Sequence, residues 1–300
     1  MWLTAAILAY FIFAIVFLVD KWLLAGPIPN HRIYSFYVGI LGVAVLLLIP
    51  FANFRVLEPS YLFLAFASGA SFVLGILWFF KGLKLYEPSR IVPAVGGISP
   101  IFTFLLVYIF SGGKELFNLS ETTSFLLIIF GSVLITHEIG KKISWKSLRI
   151  SVVSAFFFAL SFVFAKYIYA AYPFLLGLIW IRLGGVLMAL ILLFDSQLRK
   201  NLFKERIVPQ RKIAAIFFLS QAGGAAAGIL QNWAIALAPL VYVAFVSALQ
   251  GLQYGFLLIF AVFLSLKFPQ ILKEEISQKI ILQKVLAILL ISGGLAILVI

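Results

Sequence analysis

Five carboxamides and one guanidinium fall inside long apolar runs of this chain, and their chemistry is binding rather than bond breaking. Gln221, Gln231 and Asn232 share one run; Gln250 and Gln253 share the next, with Tyr254 adjacent. Gln250 and Gln253 are three apart, so on a helix they share a face. A polar group in hydrocarbon needs a partner or water, so these residues either tie helices together or line a wet cavity. Four Gln on two neighbouring runs exceed what packing needs, which favours the cavity. Ser71 and Trp78 stand in the corresponding run of the first half. Arg182 lies roughly 13 Å along a helix from Pro173, too deep to reach the interface easily. Its charge must be met by carbonyls, Gln side chains, water or an anionic substrate group, or else it serves only helix-end carbonyls. Trp78, Trp180, Trp233 and Tyr254 would contact the apolar part of a substrate. Together these groups suit an amphipathic carboxylate, zwitterionic amino acids included.

Other chemistries are excluded or thinly supported. There is no Cys, which removes disulfides, thiolate metal sites and thiol catalysis. The two His, His31 and His137, are far apart in sequence, so neither a metal site nor a cofactor is expected. Asp20 and Glu138 beside them make too thin a set for a membrane-embedded enzyme, unless folding brings the two pairs together. No Asp or Glu falls near a helix centre, so proton coupling through a carboxylate has no support at this level. Lys21 and Lys166 sit near helix ends, where snorkelling explains them. Pro93, Gly96, Gly97 and Pro100 interrupt one run, as a packed kink or as a hinge.

The elements that hold these groups follow from composition. The chain has 300 residues, 64% hydrophobic and 11% charged, with 32 Phe and a mean hydropathy of +1.17. No water-soluble fold buries so much apolar surface, so an all-α integral membrane protein is predicted. Runs of about 20 residues bounded by charge, Pro or Gly predict ten transmembrane helices. They cover Trp2 to Leu24, Arg32 to Phe51, Glu58 to Gly82, Pro88 to Phe110, Thr122 to His137, Leu148 to Ala171, Pro173 to Phe194, Lys212 to Leu237, Pro239 to Leu266 and Lys279 to Ile300. The first lacks a basic leader and reads as a retained helix. Of the 23 basic residues, only Arg55, Lys114 and Lys166 fall in loops or helix ends on the side of the termini. The positive-inside rule then puts both termini outside a cell membrane and the basic loops in the cytoplasm. The net charge of +13 is topology and contact with anionic membrane lipids, not nucleic-acid binding.

The chain also repeats itself. Phe13-Ala14 to Lys21 parallels Phe158-Ala159 to Lys166 at an offset of 145 (166 minus 21), and Gly75 to Phe80 parallels Gly228 to Trp233 at 153 (228 minus 75). Pro29 likewise parallels Pro173. Residues 1–143 and 144–300 therefore read as two five-helix repeats. An odd count turns the second copy upside down, the inverted arrangement of secondary transporters, with a site near the midplane. The third, fourth, eighth and ninth helices are expected around the cavity.

The order Gly82-Leu83-Lys84, Val92-Pro93, Ser99-Pro100-Ile101-Phe102, Gly112-Gly113-Lys114-Glu115 and Gly131 resembles the drug/metabolite transporter superfamily, specifically its EamA-like ten-helix members. Ala236-Leu237-Ala238 and Gly294 match similarly. Here Phe13-Ala14 replaces the family's Trp-Gly, Val38 stands where the second repeat has Arg182, and Gln253 aligns with Pro100. The resemblance implies transport of a small metabolite, often export of an amino acid or related compound, through a cavity between the halves; a monomer or weak homodimer is expected. A flippase for a lipid-linked substrate is the alternative. A single cysteine placed at Lys142, in a chain with no native Cys, should be labelled from the cytoplasmic side only; labelling from outside would reverse the orientation.

Overall fold

The computed structural model describes all residues except 29, 87, 137–144, 205–210, 254, 258–259, 261–277 and 300; the side chains of 25, 88–90, 92–93, 135–136, 203–204, 278–281, 284 and 299 are also left undescribed. Among the described residues every element is helical. In order they are α1 (Trp2–Ala25), α2 (His31–Ile40), a 3-10 helix (Leu41–Phe51), α3 (Pro59–Leu85), α4 (Pro88–Phe110), α5 (Leu119–Thr136), α6 (Trp145–Ala171), α7 (Phe174–Leu192), α8 (Ser196–Lys204), α9 (Arg211–Leu237), α10 (Val243–Ala248) and α11 (Gln278–Val299).

Local chemistry sets the boundaries. Asn30 caps α2 by accepting the Arg32 backbone N–H at 3.1 Å. Pro59 opens α3 at a position that needs no donor. Asn118 and Glu121 cap α5 reciprocally, each accepting the other's N–H at 2.8 Å. Gly112 and Gly113 take φ of 66° and 80° after α4, where only glycine turns without strain. The short α8, in the loop between the expected seventh and eighth helices, is preceded by Asp195, which accepts the Gln197 N–H at 2.9 Å and pairs with Arg32 of α2.

Six helices are long and apolar enough to cross a membrane: Trp2–Leu24, His31–Phe51, Pro59–Leu85, Trp145–Ala171, Phe174–Leu192 and Arg211–Leu237. Four shorter apolar helices accompany them: Ala94–Phe110, Leu119–Leu134, Val243–Leu257 and Val285–Leu298. Large apolar side chains such as Phe63, Phe130, Leu219 and Leu289 point outward, as a bilayer requires and water would penalise. The chain is built as an α-helical membrane protein.

Helices from the two ends of the chain interleave. α1 packs along α9, α3 along α6 and α7, α4 along α6, and α5 along α11. With no hydrophobic drive between helices in lipid, close backbone approach and interhelical hydrogen bonds must hold them. At the α3–α7 crossing a Cβ on Gly69 would lie 2.0 Å from the Ile181 carbonyl oxygen, and one on Gly184 would lie 2.5 Å from Phe66 Cα. Buried hydroxyls add bonds: Ser68 donates to the Ser161 carbonyl at 2.8 Å, Ser154 to that of Gly75 at 2.9 Å and Ser124 to that of Gly294 at 2.7 Å.

The helix carrying Pro93 and Pro100 runs unbroken from Pro88 to Phe110. Gly97 lets it approach α5, since a Cβ there would meet Val133 Cγ2 at 2.8 Å, and Gly96 and Pro100 are buried; the Pro93 side chain lies outside the description. Gly69→Ala should force α3 and α7 apart and destabilise the protein by about 1–3 kcal/mol, seen as a lower melting temperature in detergent. Gly293→Ala, whose added Cβ meets nothing within 4 Å, should not lower it.

Candidate functional site

A cavity of about 400 Å³ lies among α1, α2 with its 3-10 extension, α3, α6, α7, α9 and the helical turn at 250–253. The polar groups on its wall are Tyr10, Asp20, Arg182, Gln221, Gln231, Gln250 and Gln253, set among Phe13, Phe17, Phe72, Phe79, Phe80, Phe158 and Phe162. Gly224, Ala225 and Gly228 leave the room on α9. No described side chain of α4 lines the cavity. α4 instead packs outside it on α5, α6 and α10, while α1 and α6 supply wall that was expected from the fourth helix.

Arg182 is the cation of this site. Its guanidinium lies 5.4 Å from the centre of the Phe72 ring. It also rests against the bare backbone of α9, where a Cβ on Gly228 would lie 2.6 Å from Nη2. Tyr169 interacts with it electrostatically. Among the described residues no carboxylate pairs with it, the one ion pair being Arg32–Asp195, and no hydrogen bond to it is formed. A small second recess beside the cavity shares Arg182 and Gln231 and adds Asn232.

The amides divide into two kinds. Gln231, 7% exposed, donates from Nε2 to the Tyr10 hydroxyl at 3.2 Å, and that hydroxyl donates to the Val246 carbonyl at 2.7 Å. Asn232 accepts from the Tyr169 hydroxyl and donates to the Gly228 carbonyl, both at 2.8 Å. Gln221 donates to the Tyr34 hydroxyl at 3.3 Å. Those three have protein partners. Gln250 and Gln253 form no hydrogen bond among the described residues and reach the cavity wall.

The structure separates the tryptophans from the site. Trp180 donates its indole N–H to the Arg55 carbonyl at 3.0 Å and stacks on Phe54 at 5.3 Å. Trp233 is exposed against Phe174. Trp78 carries Lys81, whose Nζ sits 4.2 Å from its ring centre. Neither these three nor the buried Ser71 lines the cavity, and Tyr254 lies outside the described residues. Apart from Tyr10 the aromatic walls are phenylalanines, which the abundance of Phe in most of the runs left unmarked in the sequence.

Two polar residues depart from the sequence reading. Lys166 does not snorkel: at 9% exposure it donates from Nζ to the Ala236 carbonyl at 3.0 Å, near the carbonyl end of α9. Asp20 is counted near a helix end, yet α2 and α9 close over it. Its Oδ1 accepts from the Tyr34 hydroxyl at 2.5 Å and from Ser220 at 2.9 Å. The signal was the pairing of Asp20 with hydroxyls on the next helix, α2, and on the distant α9, which a single helix cannot reveal.

Tyr10→Phe removes the partner of both Gln231 and the Val246 carbonyl, and should destabilise the protein by about 1–3 kcal/mol. The double variant Gln250→Leu with Gln253→Leu orphans nothing and should melt close to the unmodified chain. A large loss there would place both amides in packing.

No family model matches the chain, and no curated protein matches it. Among solved structures 29 chains match. One, a crystal structure of a protein, aligns at a TM-score of 0.64 and 14% identity over 98% of this chain and 93% of that one. At that identity the likeness carries the fold alone, which is therefore one already found in a solved protein.

Proposed function

We propose that this chain is a secondary transporter of a small amphipathic carboxylate, an amino acid or a close relative, working by alternating access between two inverted repeats. The observation that carries this reading is the Arg182 guanidinium, without a counter-ion among the described residues, on the wall of a cavity of about 400 Å³ among helices that can cross a membrane. A buried cation without a counter-ion is costly, and an anionic ligand offsets that cost. Gln250 and Gln253, without a partner among the described residues, offer neutral donors and acceptors, and the phenylalanine walls suit an apolar body.

Packing symmetry supports the repeat. The six longer and four shorter apolar helices fall on the ten stretches read from the sequence. Where α5 crosses α11, Gly131 approaches Ala287 and Ile291, and Gly294 approaches Ser124 and Ile128. Exchanging each residue for one 163 later or earlier (294 minus 131, 287 minus 124, 291 minus 128) maps this contact onto itself. A two-fold contact between duplicated helices has that property. Exchanging corresponding helices, at the offsets of 145 and 153 read from the sequence, α3 on α6 becomes α9 on α1, and both pairs pack closely. The tight α3–α7 crossing would map onto α2 with its 3-10 extension against α9, where the cavity lies instead. An opening at one and a closure at the other is what exchange between two access states requires.

We place the chain among EamA-like drug/metabolite transporters, with both termini outside, on the motifs quoted above and the asymmetry of its basic loops. A flippase is the second reading, favoured by one observation: Leu47, on the 3-10 wall of the cavity, is 77% exposed, so that wall borders lipid. In proteoliposomes given a mixed pool of radiolabelled amino acids, the protein should move zwitterionic or acidic members. Arg182→Gln should weaken that transport selectively, by roughly tenfold or more for about 1.4 kcal/mol of lost charge-assisted bonding. Equal loss for neutral solutes would make Arg182 a structural tie. Movement of lipid without any of the soluble pool would favour the flippase.

A further inference from the structure

We propose that Asp20 is a proton-binding site that couples transport to a proton gradient. Its use in transport rests on the reading above; its existence as a proton site does not.

Asp20 is a half-buried carboxylate on the cavity wall, contributed by α1. The Tyr34 hydroxyl donates to Oδ1 at 2.5 Å and the buried Ser220 hydroxyl to the same atom at 2.9 Å. The Gln221 amide donates in turn to the Tyr34 oxygen at 3.3 Å. Both bonds converge on Oδ1, which leaves Oδ2 to take a proton. No cation meets this carboxylate among the described residues. From α2 the titratable group facing it is Tyr34; from α9 it meets neutral Ser220, with Gln221 behind; the Tyr34 ring is walled by Phe80 of α3 and Phe217 of α9. Lys21 follows it in the chain, about 100° round the helix. Arg32 is taken by Asp195, and the charges acting on His31 are Arg32, Lys81 and Lys84.

A carboxylate charge held at membrane depth without a counter-ion is costly, and a proton is the smallest ligand that removes it. Arg182 does not serve instead. It meets α9 at Gly228 and Asp20 meets α9 at Ser220, eight residues apart (228 minus 220), or roughly 12 Å along the helix. The two charged groups thus occupy different levels of one cavity. Water on one side supplies the proton to Oδ2, converting carboxylate to carboxylic acid, and the same bond breaks when the cavity faces the other side. One proton crosses per cycle, with no other reactant.

Two measurements test this. Infrared difference spectra of the purified protein, titrated between about pH 4 and pH 9, should show a carboxylic C=O band that fades as pH rises and is missing in Asp20→Asn. In proteoliposomes given the radiolabelled amino-acid mixture, the unmodified protein should accumulate label against a gradient when a pH difference is imposed. Asp20→Asn keeps an oxygen acceptor for both hydroxyls, so it should fold, with an unchanged melting temperature, and lose the pH-driven accumulation. Asp20→Glu should keep it. Persistence of the infrared band in Asp20→Asn overturns the proposal. So does pH-driven accumulation by that variant, or accumulation that follows a sodium gradient alone. Selective loss of cationic solutes without loss of pH response would make Asp20 a substrate contact and also overturn it. If the unmodified protein moves none of the mixture in either mode, the transport reading fails and the infrared band alone decides the proton site.

Discussion

The Arg182 guanidinium sits against a phenylalanine ring and a bare stretch of helix, with no anion among the described residues to neutralise it. That one uncompensated charge organises the rest of the site. Tertiary structure can hold such a group only if its cost is spread over many close contacts elsewhere. Here those contacts are backbone crossings at Gly69 with Gly184, and at Gly131 with Gly294, and serine hydroxyls spent on carbonyls of neighbouring helices. Gly228 has a specific part, because a side chain there would occupy the space of the guanidinium.

Around that charge the polar groups on and behind the wall are sorted by level. Near Gly228 lie Arg182, Asn232 and Tyr169; two turns toward the start of α9 lie Ser220, Gln221, Tyr34 and Asp20. Between and around them the cavity is phenyl and small aliphatic surface. A small molecule that is charged at one end and apolar at the other fits such a wall, whereas a sugar or an inorganic ion would leave the phenyl faces unused.

What the sequence revealed and what it hid have the same cause. Hydrophobic length is a property of a single segment, so the apolar helices were legible, and Arg182, Gln231 and Gln253 stood out because each is polar in an apolar run. Partners belong to the tertiary structure. Asp20 looked peripheral because depth was counted along α1 alone, while α2 and α9 bury it from the side. Lys166 looked like a snorkelling residue because the carbonyl of Ala236 is supplied by another helix. Trp78, Trp180 and Trp233 were expected in the cavity for their size, yet their amphipathic rings sit with Lys81, with the Arg55 carbonyl and on an exposed face of α9. The 3-10 winding of Leu41–Phe51 left no mark in a run that reads as uniformly apolar, and that wall carries the exposed Leu47.

The most direct test of the proposed anion site is crystallographic: crystals of the protein soaked with a brominated aromatic carboxylate, with the bromine located by anomalous scattering. The account predicts the carboxylate on the Arg182 guanidinium and the bromine among Phe72, Phe79 and Phe158. A carboxylate bound elsewhere, with the cavity empty or filled by a lipid chain, would contradict it.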